Sequence, residues 1–267
     1  MIPPIQRPET LIVERDERGV VRLTINRPEI RNAFDGVLIA DLGACLDALA
    51  SDEATRAVVL TGAGGIFSAG AELGWMKSSG EQGDHDNFQD ALRLAGLMRR
   101  LDHMPMPTIA RINGHAMGGG VGLTACCDVA VAAEGAVFAL SEVKLGIIPG
   151  AISPYVLRAI GPRNARRYFL TGERFDAATA HRIGLVHEVV PEAELDAAVE
   201  ALLAEFLTAG PKAVRAAKDL IKHVALKEID DLLIRDTAQR IARQRAGDEA
   251  KEGLGAFLEK RKPGWSA

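Results

Sequence analysis

The chain has 267 residues, 48% of them hydrophobic, and a formal net charge of -4. That is enough apolar material for one large domain, or for one with a helical appendage. The weakly acidic balance gives no basic field for nucleic acid, and no apolar run approaches the roughly 20 residues of a membrane span, so neither partner is expected.

The opening stretch, MIPPIQRPETLIVERDERG, has no basic segment followed by an apolar one, which predicts no secretory leader and a cytoplasmic location. From Leu11 to Ile25 apolar and polar residues alternate around Arg18 and Gly19, predicting a hairpin. Asp35 then caps a helix whose apolar positions Leu38, Leu42, Cys45, Leu46 and Leu49 follow helical spacing, and AVVLTG is a short buried strand. The polar stretch SSGEQGDHDNFQD has the composition of a flexible loop, and the helix after it carries Leu94, Leu97, Met98 and Leu101 on one face. PTIARI predicts a strand, LTACC a short helix, and DVAVAA and AVFAL two more strands, so strand and helix alternate to about residue 150. Residues 191–260 are helical in pattern, which gives an α/β core with a C-terminal helical appendage.

Cys45, Cys126 and Cys127 form neither a CxxC pair nor a disulfide framework and predict reduced, buried thiols. The six histidines show no metal-ligand spacing, so no metal is expected.

The segment HAMGGGVGL, residues 115–123, demands an explanation for its glycines. They fit neither the GxGxxG dinucleotide fingerprint nor a P-loop, and FSAGAE is not GxSxG because Ile66 stands where the first glycine is required. Two readings remain open on the residues alone. The glycines permit close helix-to-strand packing. Alternatively, an N–H from the loop GIFSAGAEL and one from the glycines opening a helix converge on a single oxygen, forming an oxyanion hole assisted by the helix dipole.

The motifs INRPEIRNAF, TGAGGIFSAGAEL, INGHAMGGGVGLTACCDVAVA, SEVKLGIIPG, LTGERFDAATAHRIGLVHEVV and FLEKRKPGW occur in the order found in the crotonase (enoyl-CoA hydratase/isomerase) family. The chain resembles that family over nearly its whole length. The resemblance implies a β-spiral core of ββα units over residues 1–195, holding a CoA-thioester site. It implies a helical trimerisation region over residues 196–267 and assembly as a homotrimer or a dimer of trimers. CoA enters as the carrier part of the substrate, with no separate cofactor. By position, the enolate oxygen is held by the backbone N–H groups of Ala71 and Gly119. Arg31, Ala69, Leu73, Ile241 and Lys260 are the positions assigned to CoA.

Hydratases of this family typically carry two glutamates. Here the first position is Gly122, counted with the substrate pocket, and the second is retained as Glu142. One carboxyl can serve as both base toward water and acid toward carbon if it faces both atoms, and one beside an apolar pocket should have a raised pKa. A single glutamate also resembles the isomerase branch, which shifts a proton without consuming water. A third possibility is a non-catalytic acyl-CoA-binding homologue. AELGWMK, GGGVGLTACCD and SEVKLGIIPGAISPYV resemble bacterial methylglutaconyl-CoA and isohexenylglutaconyl-CoA hydratases of leucine and acyclic-terpene degradation. A distal substrate carboxylate would need a cation, for which Lys77 and Lys144 are candidates, although lysines in such positions are mostly solvated.

Trp75 and Met76 are pocket candidates, residue types that serve equally as core. Glu72 is expected to support its loop, His115 to be half-buried and structural, and Asp128 to cap or end the short helix.

Overall fold

The computed structural model describes residues 9–266; the part of the leader-free expectation that falls on residues 1–8 lies outside them. Strands β1 (Leu11–Arg15) and β2 (Val20–Ile25) pair antiparallel in the expected hairpin, with Leu11 opposite Ile25. Gly19 has φ +82°, and a Cβ there would lie 2.3 Å from the Ala54 carbonyl oxygen, so this turn requires glycine.

Helix α1 (Gly36–Ser51) starts where the sequence places it, with the Asp35 carboxylate accepting from Leu38 N at 2.8 Å. Its Leu38, Leu42, Leu46 and Leu49 are fully buried, each contributing roughly 1.5–3 kcal/mol relative to exposure. Strand β3 (Ala57–Gly62), buried at every position, lies parallel to β2, as the α1 crossover requires.

Residues 78–90, expected as a flexible loop, are largely helical. Helix α2 (Leu73–Gly80) and helix α3 (Asp84–Asp102) are separated only by Glu81–Gly83. Asp84 and Asp86 in the first turn of α3 complement its dipole. Asp90 is buried and accepts from Ser79 Oγ at 2.8 Å, tying the two helices together. The polarity that suggests a loop belongs to an exposed helix face.

Strands β4 (Thr108–Ile112) and β5 (Ala116–Met117) lead into helix α4 (Gly119–Cys126), which begins at the glycines. Then come β6 (Val129–Ala133), β7 (Val137–Ala139), a 3-10 turn over Glu142–Leu145 and helix α5 (Ser153–Thr171), bent at Gly161. Strand β8 (Arg174–Asp176), helix α6 (Ala177–Arg182) and strand β9 (Glu188–Val190) complete two sheets, ordered β1-β2-β3-β4-β6-β9 and β5-β7-β8. This is the α/β spiral implied by the resemblance.

Two compact units divide the chain: one takes in the described residues up to 104 and residues 108–199, the other residues 105–107 and 200–266. Helix α7 (Leu195–Thr208) runs from the first into the second. The second is built on α8 (Pro211–Val224), α9 (Asp231–Ala246) and α10 (Asp248–Leu258). Within it, Glu249 caps α8 by accepting from Lys212 N and Ala213 N, and Lys218 Nζ donates to the Met106 carbonyl at 3.0 Å. Among the described residues, no helix is long and apolar enough to cross a membrane.

Candidate active site

The first unit encloses a cavity of about 1030 Å³, within reach of what a small-molecule site needs. Its walls come from the loop before α2, from α2 and α3, from the start of α4, and from residues 141–152.

The loop carrying Ala71 is held from below. Buried Ser68 donates to the Asn32 carbonyl at 2.9 Å and accepts from Gly70 N at 3.1 Å, while Ala69 N donates to the Arg31 carbonyl. Phe34 N donates to the Gly70 carbonyl and Glu72 N to the Phe34 carbonyl. In this parallel bridge the Ala71 N–H points away from Phe34. Gly70 has φ +83°, and a Cβ there would stand 3.3 Å from Gly119 N, so the two glycine-containing segments meet at that point. Gly119 opens α4, where the first amides have no intrahelical acceptor. A Cβ on it would lie 2.4 Å from the Phe34 ring. Neither Ala71 N nor Gly119 N has an acceptor among the described residues, and both residues line the cavity. Two N–H groups without acceptors at one cavity are able to hold an oxygen, and close packing against Phe34 is a further demand on Gly119.

Glu142 comes from the 3-10 turn after β7. Its Oε1 lies 3.1 Å from where a Gly118 Cβ would be, and its Oε2 is buried with no hydrogen-bond partner among the described residues. Burial pushes its carboxyl above the ordinary 4.5, an effect only partly offset by its own backbone N–H. A buried carboxyl with one oxygen unpartnered, in a cavity also lined by two residues with open N–H groups, is able to carry a proton.

Gly122 does not line the cavity. It is buried, and a Cβ there would meet Ile152 Cγ2 at 2.3 Å and Met98 Sδ at 3.2 Å. Its assignment to the substrate pocket is therefore corrected: the wall at that point is Ile152, which packs over Gly122.

The chain is similar to a 2,3-dehydroadipyl-CoA hydratase of Escherichia coli, 35% identical with 95% of this chain and 97% of that one covered. A crotonyl-CoA hydratase of Syntrophomonas wolfei is 34% identical, with coverage of 95% and 96%. An enoyl-CoA hydratase structure from Shewanella pealeana superimposes with a TM-score of 0.93 at 41% identity, covering 97% of both chains. The family model described as enoyl-CoA hydratase/isomerase matches residues 15–267. The chain belongs to the enoyl-CoA hydratase/isomerase family.

Of the positions that the enoyl-CoA hydratase/isomerase resemblance singles out, Ala69, Ala71, Leu73, Trp75, Met76, Gly119 and Glu142 all line the one cavity. Arg31 is exposed, in a left-handed conformation with φ 59°, and its neighbour Ile30 lines the cavity instead. Ile241 and Lys260 are exposed residues of the second unit. Lys144 is a lining residue, whereas Lys77 is exposed and pairs with Glu81. Glu72 caps α2, accepting from Gly74 N at 2.8 Å and Trp75 N at 2.5 Å, and these donors hold its carboxyl below the ordinary range. His115, expected half-buried, is exposed and acts through its carbonyl, which accepts from Phe67 N and Ser68 N. Asp128 follows α4 and anchors β4, accepting from Thr108 N and Oγ1.

Three supports lay outside the sequence expectations. Asn32, with φ 57°, donates to the carbonyls of Ala63 and Ile66 and accepts from Arg27 N. An asparagine four residues after Pro28, in a residue type that tolerates the left-handed region, is the signal for it. Ser68 and Phe34 offered no comparable pattern.

Proposed function

We propose that the protein is a 2-enoyl-CoA hydratase in which Ala71 N–H and Gly119 N–H hold the thioester oxygen and Glu142 is both base and acid. The observation that carries this reading is the buried, partnerless Oε2 of Glu142 in the cavity that both N–H groups line. Glu142 takes a proton from water as the water oxygen bonds to the acyl β-carbon. The double-bond electrons move onto the thioester oxygen, where the two N–H donors stabilise the enolate. The enolate then collapses as Glu142 returns the proton to the acyl α-carbon, so one water is added and the carboxylate is regenerated. The similarity to hydratases of crotonyl-CoA and 2,3-dehydroadipyl-CoA supports the reaction type.

For the acyl group, the finer reading is a glutaconyl-type chain ending in a carboxylate, with Lys144 as the lining cation. CoA is expected to meet Ala69, Leu73, Arg31, Ile241 and Lys260. Self-association of the helical region, as a trimer or a dimer of trimers, is supported by exposed Leu232, Ile234, Leu254, Phe257 and Leu258 on α9 and α10.

The isomerase reading is favoured by one observation: hydrocarbon, not a second carboxyl, stands over Gly122. A lone Glu142 suffices to move a proton from the acyl α-carbon to the γ-carbon. The deciding experiment mixes the protein with 2-enoyl and 3-enoyl thioesters and follows conjugated absorbance. Loss of absorbance from the 2-enoyl thioester, with no gain from the 3-enoyl one, is expected; the reverse overturns hydration in favour of isomerisation. Tight binding without turnover of either would make the protein an acyl-CoA-binding homologue.

A further inference from the structure

Gly122 leaves a position beside the reaction centre without a side chain, yet that position is not open. Ile152, at the start of α5, is 2% exposed, lines the cavity and places Cγ2 within 2.3 Å of an ideal Gly122 Cβ. The surroundings of that point are filled as well. Met98 Sδ lies 3.2 Å from the same point, and Cys126 Sγ lies 3.9 Å from that sulfur. Met98 is fully buried and Cys126 nearly so. Filled, close-packed interiors give way only at a cost in displaced neighbours.

The position of this plug along the substrate follows from α4. Gly119 and Gly122 are three residues apart, hence on one face and about 4.5 Å apart along the helix axis. With the thioester oxygen at Gly119 N–H, a side chain packed over Gly122 stands beside the first carbons of the acyl chain, not at its distal end. Glu142, against Gly118, lies on the other side of Gly119 in the same run of backbone.

We infer that Ile152 is a specificity-determining residue that closes the space left by Gly122, so that the site takes acyl chains unbranched at the β-carbon and rejects those carrying a methyl group there. This rests on the proposed placement of the thioester oxygen between Ala71 and Gly119. It narrows the glutaconyl-type reading to chains unbranched at the β-carbon, and excludes the methylglutaconyl and isohexenylglutaconyl groups that the resemblance suggests.

The test measures calorimetric binding of butyryl-CoA and 3-methylbutyryl-CoA to the full chain. Neither probe has a double bond, so binding is read without turnover. The wild type is expected to bind the straight-chain probe about 10-fold or more tightly, the usual cost of one methyl group in a pocket that has no room for it. Ile152→Val should narrow that ratio to about 3-fold and Ile152→Ala bring it near unity, as room for the methyl group is released. Should the alanine variant not fold, the valine variant decides alone. Equal binding of the two probes by the wild type, or a ratio unchanged in whichever variants fold, overturns the inference. Failure of the hydratase reading looks different: crotonyl-CoA would not be consumed, while the binding ratio and its response to Ile152 would stand.

Discussion

Two glutamates line the same cavity and are held in opposite ways. Glu72 receives two backbone N–H bonds from the start of α2, which favour its charged form. Glu142 has one carboxyl oxygen buried with no donor among the described residues, and burial favours its neutral form. Sequence position alone does not separate them, since both stand at the start of a helical segment. The difference lies in what each carboxyl meets: donors at a helix N-terminus make a cap, whereas burial with one oxygen unpartnered makes a carboxyl that holds its proton more readily than a free one.

Breaking the comparison at Glu142 should have the largest effect. Glu142→Gln keeps the shape and removes the proton carrier, so kcat for 2-enoyl-CoA hydration should fall on the order of 10³-fold, within the usual range for general acid-base groups. The affinity for CoA thioesters, measured by calorimetry, should change little. Full turnover in this variant would remove Glu142 from the mechanism. In the wild type the raised carboxyl must be ionised to accept a proton from water. The acid limb of kcat/KM should therefore fall at a pH above the ordinary 4.5, and Glu142→Gln should have no such limb.

The next effect separates proton transfer from charge stabilisation. Gly119→Ala leaves Glu142 in place but drives a Cβ to within 2.4 Å of the Phe34 ring, which must shift the Gly119 N–H or the ring. Displacing one oxyanion donor costs about 10²-fold in kcat, and the acid limb set by Glu142 should stay where it is. A kcat within about 2-fold of wild type would show that the Gly119 N–H is not a donor to the transition state.

How much of this was legible in the sequence depends on the range of the contacts involved. The α1 cap at Asp35, its leucine stripe, the hairpin and the glycines opening α4 are local patterns, and the structure reproduces them. Glu142 and Ala71 were reachable through ordered motifs, because a family fixes positions even where spacing does not. The helices over residues 78–90 were missed because exposed helices are polar, and Gly80 and Gly83 imitate a loop. The three-residue strands β8 and β9 are too short to show a period. Ile152 was invisible for another reason: its meaning depends on a contact with Gly122, 30 residues away in sequence. Gly122 could be seen to lack a carboxylate, but not what had taken its place.

The smallest effect on turnover, and the sharpest contrast between the two glutamates, is expected from Glu72→Gln. Its carboxylate supports α2 and moves no proton, so kcat should stay within about 3-fold of wild type, far from the losses typical of acid-base groups. Stability against pH then tells the two residues apart by sign. For Glu72, whose folded pKa is lowered, the stabilising contribution is present above the ordinary 4.5 and is lost as the pH falls through the folded value. The Tm deficit of Glu72→Gln should accordingly be largest near neutrality and shrink in acid. For Glu142, whose folded pKa is raised, the contribution is complete below 4.5 and is lost as the pH rises through the folded value. Glu142→Gln should therefore gain Tm relative to wild type as the pH rises, because the variant no longer holds a buried charge. Thermal melts of the two variants and the wild type between pH 4 and pH 8, a window spanning the ordinary carboxyl and imidazole range, should give difference curves of opposite sign. Curves of the same sign would mean that the two carboxyls are held alike.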